Sequence, residues 1–305
     1  MERYRWRKPI SMLMVVMLLV RLLGNVGVVR SAVSTGLQIA GGSLVPSLFV
    51  FSVVAQLIVR LQLLQPLEAC LAPMFRKLFG LSAPCVSAWL LGALGGYPIG
   101  AQVLVSQVRQ GSLDVREAES ALGICNLCGA AFVVSVVAPI LGLSVNGGFL
   151  LWGIHLVASL LTATVLRPFA PNGQISKTNT TPPPSDVAFA SAFSDAVATA
   201  VKSMLALTGM ICTFQVITAF VGQLCPTIST IFYGALEMTN GIFSLNNDEL
   251  VLASALIGWG GCCVAAQVAA MTVTIKLRLR RYLIAKLLHA AIAAILTVLL
   301  QKFTS

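Results

Sequence analysis

Two stretches, Gly147 to Leu166 and Met204 to Leu224, carry no formal charge, and each matches the about 20 residues an α-helix needs to cross a bilayer's hydrocarbon core. In lipid the backbone must satisfy its own hydrogen bonds, so a spanning segment is a helix or a strand of a closed barrel. Continuous apolar runs exclude the alternating pattern of barrel strands. The predicted fold class is therefore all-α, a polytopic helical membrane protein. Composition agrees: 10% of the 305 residues are charged, where soluble domains carry roughly a quarter.

Further apolar runs lie near Ile10 to Val29, Ser43 to Val59, Pro84 to Val108, Ala121 to Leu143, Leu250 to Ile275 and Tyr282 to Leu300. With the first two they make seven or eight membrane elements. Shorter helices are expected over Glu68 to Phe79 and Ser229 to Phe243. The net charge of +10 does not point to nucleic acid, because the basic residues sit in short loops beside apolar runs, as the positive-inside rule requires. The N-terminal MERYRWRK, Arg60 with Arg76 and Lys77, and Lys276 with Arg278, Arg280 and Arg281 are the richest clusters and are expected in the cytoplasm. The basic start lacks a small-x-small cleavage pattern after Val20, so an uncleaved first helix is expected rather than a signal peptide.

Between Arg167 and Asp186 the chain turns rich in Pro, Thr, Ser and Asn, which marks a solvent-exposed linker. The expected organisation is 1–35, a basic segment and first transmembrane helix; 36–167, a first repeat with its connecting helix; 168–186, the linker; and 187–305, a second repeat. Gly95 to Val103 reads GGYPIGAQV and Gly260 to Val268 reads GGCCVAAQV, identical at five of nine positions with a constant offset of 165. Internal repeats with Gly/Pro interruptions at matching places point to the binding site of a transporter. Pro98 donates no backbone hydrogen bond, so Pro84 to Val108 is expected to break into two half-helices and return as a re-entrant hairpin. Pro98 suits the first position of the second arm, whose amides from Ile99 to Ala101 then face the break as an anion site. The charges are best satisfied if the first Gly-Gly element is re-entrant and the second crosses, although that spoils the repeat symmetry.

The eight cysteines all lie in or beside hydrophobic segments, where small thiols pack helix against helix. Cys125 and Cys128 have CxxC spacing, but His155 and His289 are the only histidines in the chain and a structural zinc site needs four ligands close together. No metal and no cofactor are expected. HExxH, a GxSG nucleophile and a GxxxxGK[ST] loop are missing from the sequence, so no catalytic residue is assigned and the chain is not read as an enzyme.

GGYPIGA, the following RQGSLDVREAESALGICN, then EMTNG from Glu237 to Gly241 and GWGGCCVAAQ from Gly258 to Gln267 together resemble the sporulation integral membrane protein YlbJ family, which belongs with the nucleoside-recognition Gate domain proteins. The resemblance runs from about Gly36 to Leu300. It implies a role in moving dipicolinic acid across the outer forespore membrane of a spore-forming bacterium. The chain departs from the family pattern after Cys125 and Asn126, where Leu127, Cys128, Gly129 and Ala130 replace Asn-Ser-Gly-Pro. It departs again at Ala265 and Ala266, where a His is expected before Gln267.

Dipicolinate is a small planar dianion. Substrate contacts are expected from the broken elements: Gly95, Gly96, Tyr97, Pro98, Gly100 and Gln102 in the first half, Asn126, and Gly260, Gly261 and Gln267 in the second. An interhelical hydrogen bond is the alternative for each Gln, and packing or interfacial anchoring for Tyr97. Glu237, with Asn240 beside it, is the candidate for ion coupling, since an ionisable group at membrane depth is a functional signal; a water-facing interfacial position is its alternative. His155 reads as a packing residue. The expected partners are the lipid bilayer and a small organic anion or nucleoside, with self-association and other sporulation membrane proteins left open. A nucleoside or other small-solute transporter and a non-transporting assembly factor are the competing functions.

Overall fold

The computed structural model describes residues 7–169, 188–224 and 230–304. Among them there is no strand. Six helices are long and apolar enough to cross a membrane, and a shorter apolar stretch, Val15–Gly24, precedes them. The protein is a polytopic helical membrane protein, as its charge-free runs require. The linker expected over 168–186 falls almost wholly outside the described residues, as does Cys225.

Helix α1 (Arg7–Gly24) is followed by α2 (Val26–Ile39) and α3 (Val45–Arg60). A gap was expected between Val29 and Ser43, yet α2 and α3 form one continuous 35-residue helix. Pro46 removes one N–H from the ladder, and a π turn over Ala40–Leu44 absorbs the defect by letting the Val45 amide reach the Ala40 carbonyl. The boundary expected at residues 35/36 therefore lies inside a helix. At its far end Arg60 pairs with Asp195 (3.1 Å) and Thr199 (3.1 Å) of α10 (Phe189–Leu224), which packs along both α2 and α3.

After α4 (Gln65–Phe79) the chain bends by 101° into α5 (Ala83–Gly95). α5 and α6 (Ile99–Arg109) fold back on each other, and Gln107 near the end of α6 donates to the Pro84 carbonyl at the start of α5 (3.2 Å). This is the expected re-entrant hairpin. α7 (Val115–Cys125), capped by Asp114, is separated by an irregular stretch from α8 (residues 130–140, with a π turn over Val133–Val137). α9 (Val145–Leu166), capped by Ser144, is stitched to α5 by two indoles: Trp152 donates to the Ala93 carbonyl (3.1 Å) and Trp89 to Ser159 (2.9 Å).

The second half holds a short hairpin of α11 (Thr230–Leu236) and α12 (Met238–Phe243), then α13 (Leu250–Trp259), α14 (Gly261–Thr272) and α15 (Leu279–Thr304). α13 and α14 belong to one span, Leu250–Ile275, kinked at Gly260 and Gly261. So the first Gly-Gly element turns back and the second crosses. The repeat match at offset 165 pairs a hairpin tip with a helix kink. In the fold, the counterpart of the α5–α6 hairpin is α11–α12, and the counterpart of the α13–α14 kink is the α7–α8 break.

Charges sort accordingly. Arg109 reaches Thr274 (2.7 Å), the Arg278 amide donates to Glu119 (2.8 Å) and Arg167 donates to the Leu78 carbonyl (3.2 Å), so these basic residues share one end, which the positive-inside rule assigns to the cytoplasm. The first hairpin opens toward this end. Asp248 and Glu249 lie at the other end, beside the entry of the second hairpin.

Candidate functional site

Each hairpin tip sits on a break in a crossing helix. Two glycines allow the first contact: a Cβ on Gly92 would lie 1.8 Å, and one on Gly100 1.9 Å, from the Cys125 carbonyl oxygen. The last turn of α7 is thus seated against both arms of the hairpin. At the tip, Gly96 (φ +78) meets Gly129 across the α7–α8 break. The second tip, Leu236 to Met238, rests on Gly261, and Trp259 fixes it by donating to the Ala235 carbonyl (2.9 Å).

Between the two tips and the two breaks lies a cavity of about 40 Å³, room for a few water molecules. The first tip contributes Gly96 and Tyr97 to its wall, and the second contributes Glu237, Met238 and Thr239. The first break contributes Cys128 and Gly129, and the helices after the breaks contribute Phe132, and Cys263, Val264 and Gln267. Leu44 and Leu48, at and just after the π turn, and Leu207 and Ile211 of α10 close the apolar side.

Breaking a helix at membrane depth frees carbonyls that must find donors. Tyr97 donates its hydroxyl to Ile257 O (3.0 Å), just ahead of the second break. Lys286, from α15, donates to the Tyr97 hydroxyl (2.7 Å) and to Asn126 O (3.2 Å) in the first break. Its ammonium lies 4.9 Å from the centroid of the Tyr97 ring. Lys286 is fully buried, and among the described residues no carboxylate pairs with it; the salt bridge Arg60–Asp195 lies elsewhere.

The residues expected at the site divide. Gly96, Tyr97, Glu237 and Gln267 line the cavity. Gln267 touches Cys263 Sγ through Nε2 (3.6 Å), and its buried Oε1 has no partner among the described residues. Gly260 backs the Tyr97 hydroxyl, and Gly261 carries the second tip. Gly95 packs on Ile99 and Ala55, Pro98 caps α6, and Gly100 packs on Cys125, so all three build the hairpin rather than the wall. The Ile99 amide, expected to face an anion, is taken by Gly96 O (2.8 Å). Gln102 is turned away from the cavity: it accepts from Gln56 (3.1 Å) and donates to Ser203 (3.0 Å), the interhelical alternative. Asn126 is buried behind the wall, with Nδ2 on Tyr282 (3.3 Å).

Glu237 is 3% exposed, not water-facing. Its Oε1 accepts from Thr239 (2.9 Å) and its Oε2 from the Asn240 amide (2.8 Å), which caps α12. Asn240 itself exchanges hydrogen bonds with Gln215 of α10 (2.5 and 3.1 Å). Among the described residues no group of His, Cys, Asp and Glu is placed to hold a metal.

A comparison with curated proteins meets this geometry with a relative. The chain is similar to the sporulation integral membrane protein YlbJ of Bacillus subtilis (strain 168). The two are 24% identical over 316 aligned positions, which cover 89% of this chain and 77% of that protein. The YlbJ-like resemblance read from the motifs thus extends across the site, from the hairpin tip through the Gly-Gly kink. No family model and no solved structure matches the chain. Lys286 was missed in reading the motifs, yet the signal was present: a lone lysine inside the apolar run YLIAKLLHAAIAAILTV is an intramembrane ionisable residue.

Proposed function

We propose that the chain is a carrier rather than an enzyme, and that it moves a small organic anion across a membrane in a sporulating cell. Dipicolinate at the outer forespore membrane is the first substrate to test. The observation that carries this reading is Lys286: a buried cation without a carboxylate partner, held behind Tyr97 at the wall of the cavity between the two tips. Burying an uncompensated charge costs several kcal/mol, and an anionic substrate in the cavity repays part of that cost. The architecture supports transport because hairpins entering from opposite ends meet at the cavity, so access from either side needs the displacement of one tip only. With one tip displaced to enlarge the cavity, its apolar walls suit a planar ring, and Gln267 offers an amide to a carboxylate.

A second reading rests on the Glu237 carboxylate and the Gln267 amide, which suit the hydroxyl and base edges of a nucleoside. Uptake of radiolabelled dipicolinate into proteoliposomes holding only this protein, with uridine as competitor, separates the two. Saturable uptake that is indifferent to uridine and lost in Lys286→Met supports the anion carrier. Uridine uptake that survives Lys286→Met supports the nucleoside reading, and no transport of either solute rejects both.

A further inference from the structure

The second tip brings a carboxylate to the cavity without a charge to balance it. Glu237 is almost wholly buried, and among the described residues no basic side chain pairs with it. Thr239, also in the cavity wall, donates its one hydroxyl proton to Glu237 Oε1 (2.9 Å) and keeps its own oxygen free to accept. Gln267, 4% exposed in the same wall, spends an amide N–H on Cys263 Sγ (3.6 Å), which leaves its buried Oε1 without a donor among the described residues. Three oxygens of one small cavity therefore lack positive charge.

A buried carboxylate is costly unless it is paired, and a buried amide oxygen is costly unless it is bonded. One bound cation removes both costs. We infer that Glu237, Thr239 and Gln267 bind a small monovalent cation, sodium in size and charge, and that this ion is coupled to transport. The coupling rests on the carrier reading, whereas the site itself does not.

The ligand chemistry selects the ion. A carboxylate, a hydroxyl and an amide carbonyl are hard oxygen ligands, and a single carboxylate balances a single positive charge. A divalent ion such as calcium takes roughly six to eight oxygens, and among the described residues no group of three His, Cys, Asp or Glu is placed to hold a metal. The volume agrees, since about 40 Å³ takes an ion with the water that completes its shell. An aromatic dianion needs a displaced tip, so the cation is the solute that the closed cavity retains.

The other ionisable side chains around the cavity do not serve Glu237. Tyr97 of the first tip, Cys128 of the α7–α8 break and Cys263 of α14 share the wall with it. Lys286 is engaged by Tyr97 and Asn126, and His289 and His155, 3.3 Å apart on α15 and α9, lie outside the lining. A dianion drawn in by Lys286 thus shares a small space with an unbalanced carboxylate. A cation on Glu237 turns that repulsion into a bridge and brings the loaded cavity one charge nearer to neutrality, so ion and anion bind each other's site more tightly, as linkage requires.

Two measurements on the full chain test this. In detergent without substrate, the thermal midpoint is followed against sodium chloride, with choline chloride at matched ionic strength as the reference. Sodium is expected to raise the wild-type midpoint in a saturable way, and the shift is expected to vanish in Glu237→Gln and in Gln267→Leu. In proteoliposomes, an inward sodium gradient is expected to raise accumulation of labelled dipicolinate severalfold in wild type and to leave Glu237→Gln unmoved, with a KM that no longer depends on sodium. A wild-type midpoint equal in sodium and choline overturns the site, as does a midpoint that answers only to pH, which makes Glu237 a protonated acid. A sodium shift retained in both variants places the ion elsewhere and overturns it too. Uptake indifferent to the gradient, with the shift intact in wild type and lost in the variants, keeps the site and overturns the coupling. The same shifts with no dipicolinate uptake under any condition support the site and overturn the carrier reading.

Discussion

The first hairpin enters from the basic end with arms of 13 and 11 residues, whereas the second enters from the opposite end with arms of 7 and 6. The long one is held by backbone: Cys125 O wedged against Gly92 and Gly100, Gly96 against Gly129, and two indoles from or onto α9. The short one has one glycine seat, its tip on Gly261, and is otherwise held by side chains, through the Gln215–Asn240 pair and the Trp259 indole. Backbone seating leaves no slack, while side-chain contacts exchange one at a time at modest cost. Local opening draws on the least stable elements. The second tip is therefore the one placed to move, and the first is the fixed wall against which it closes.

The strongest way to break this comparison is to put a side chain into each seat. Gly100→Val sets a Cβ 1.9 Å from a carbonyl oxygen that cannot move without unseating α7, so a loss of folded yield is expected, an effect beyond about 4 kcal/mol. Gly241→Ala meets the Gly234 Cα at 2.5 Å and a Leu256 methyl at 2.7 Å, in an element free to shift. It should cost about 1–3 kcal/mol and still yield folded protein, read as a lowered thermal midpoint in detergent. Equal damage from both substitutions would mean that the hairpins are equally rigid.

Lys286→Met separates function from stability. Two hydrogen bonds are lost, to Tyr97 and Asn126, but so is the desolvation cost of an unpaired ammonium. Uptake should fall by more than about tenfold, the scale of a lost charge-assisted contact, while the thermal midpoint stays level or rises. A large fall in midpoint would make Lys286 a structural strut of the first hairpin.

The spans were legible because a charge-free run of helical length has few alternatives in lipid, and the first hairpin because Gly-Gly followed by Pro interrupts such a run. The second hairpin read as one short helix because its tip carries neither signal; the turn is made by Glu237 alone, in extended conformation between two helices. The internal repeat was visible in letters but not in register, since small residues at close helix contacts repeat for packing reasons wherever backbones touch. Gln102 and Gln267 align in that repeat, yet one bridges α3 and α10 while the other lines the cavity. Which neighbours a glutamine meets depends on helix rotation, and a single sequence does not specify it. His155 and His289, 134 residues apart in sequence, gave no hint of meeting.

That misalignment is itself testable. Gln102→Leu leaves Gln56 and Ser203 without their shared partner, so stability should drop by about 1–2 kcal/mol with uptake per folded molecule retained. Gln267→Leu removes an oxygen that has no partner among the described residues, so the midpoint should hold and KM for the anion should rise severalfold. The reverse pattern would put Gln102 in the site and the first hairpin in a different rotation.

The smallest effect is expected from Glu237→Gln, and its sign is the informative part. The amide oxygen still accepts from Asn240, so the cap loses only about 0.5–1 kcal/mol. In the wall of the cavity, however, a negative charge has been removed. A dianionic substrate is repelled by that carboxylate, so KM for dipicolinate should fall, by at most about tenfold or 1.4 kcal/mol. A nucleoside, which uses the carboxylate as an acceptor, should instead bind more weakly. If the carboxylate carries a coupling ion, the pH or cation profile of uptake will change as well. A Glu237→Gln protein with unaltered KM and unaltered profile would reduce Glu237 to the cap of α12, and leave the movable tip with no charge to sense what the fixed wall holds.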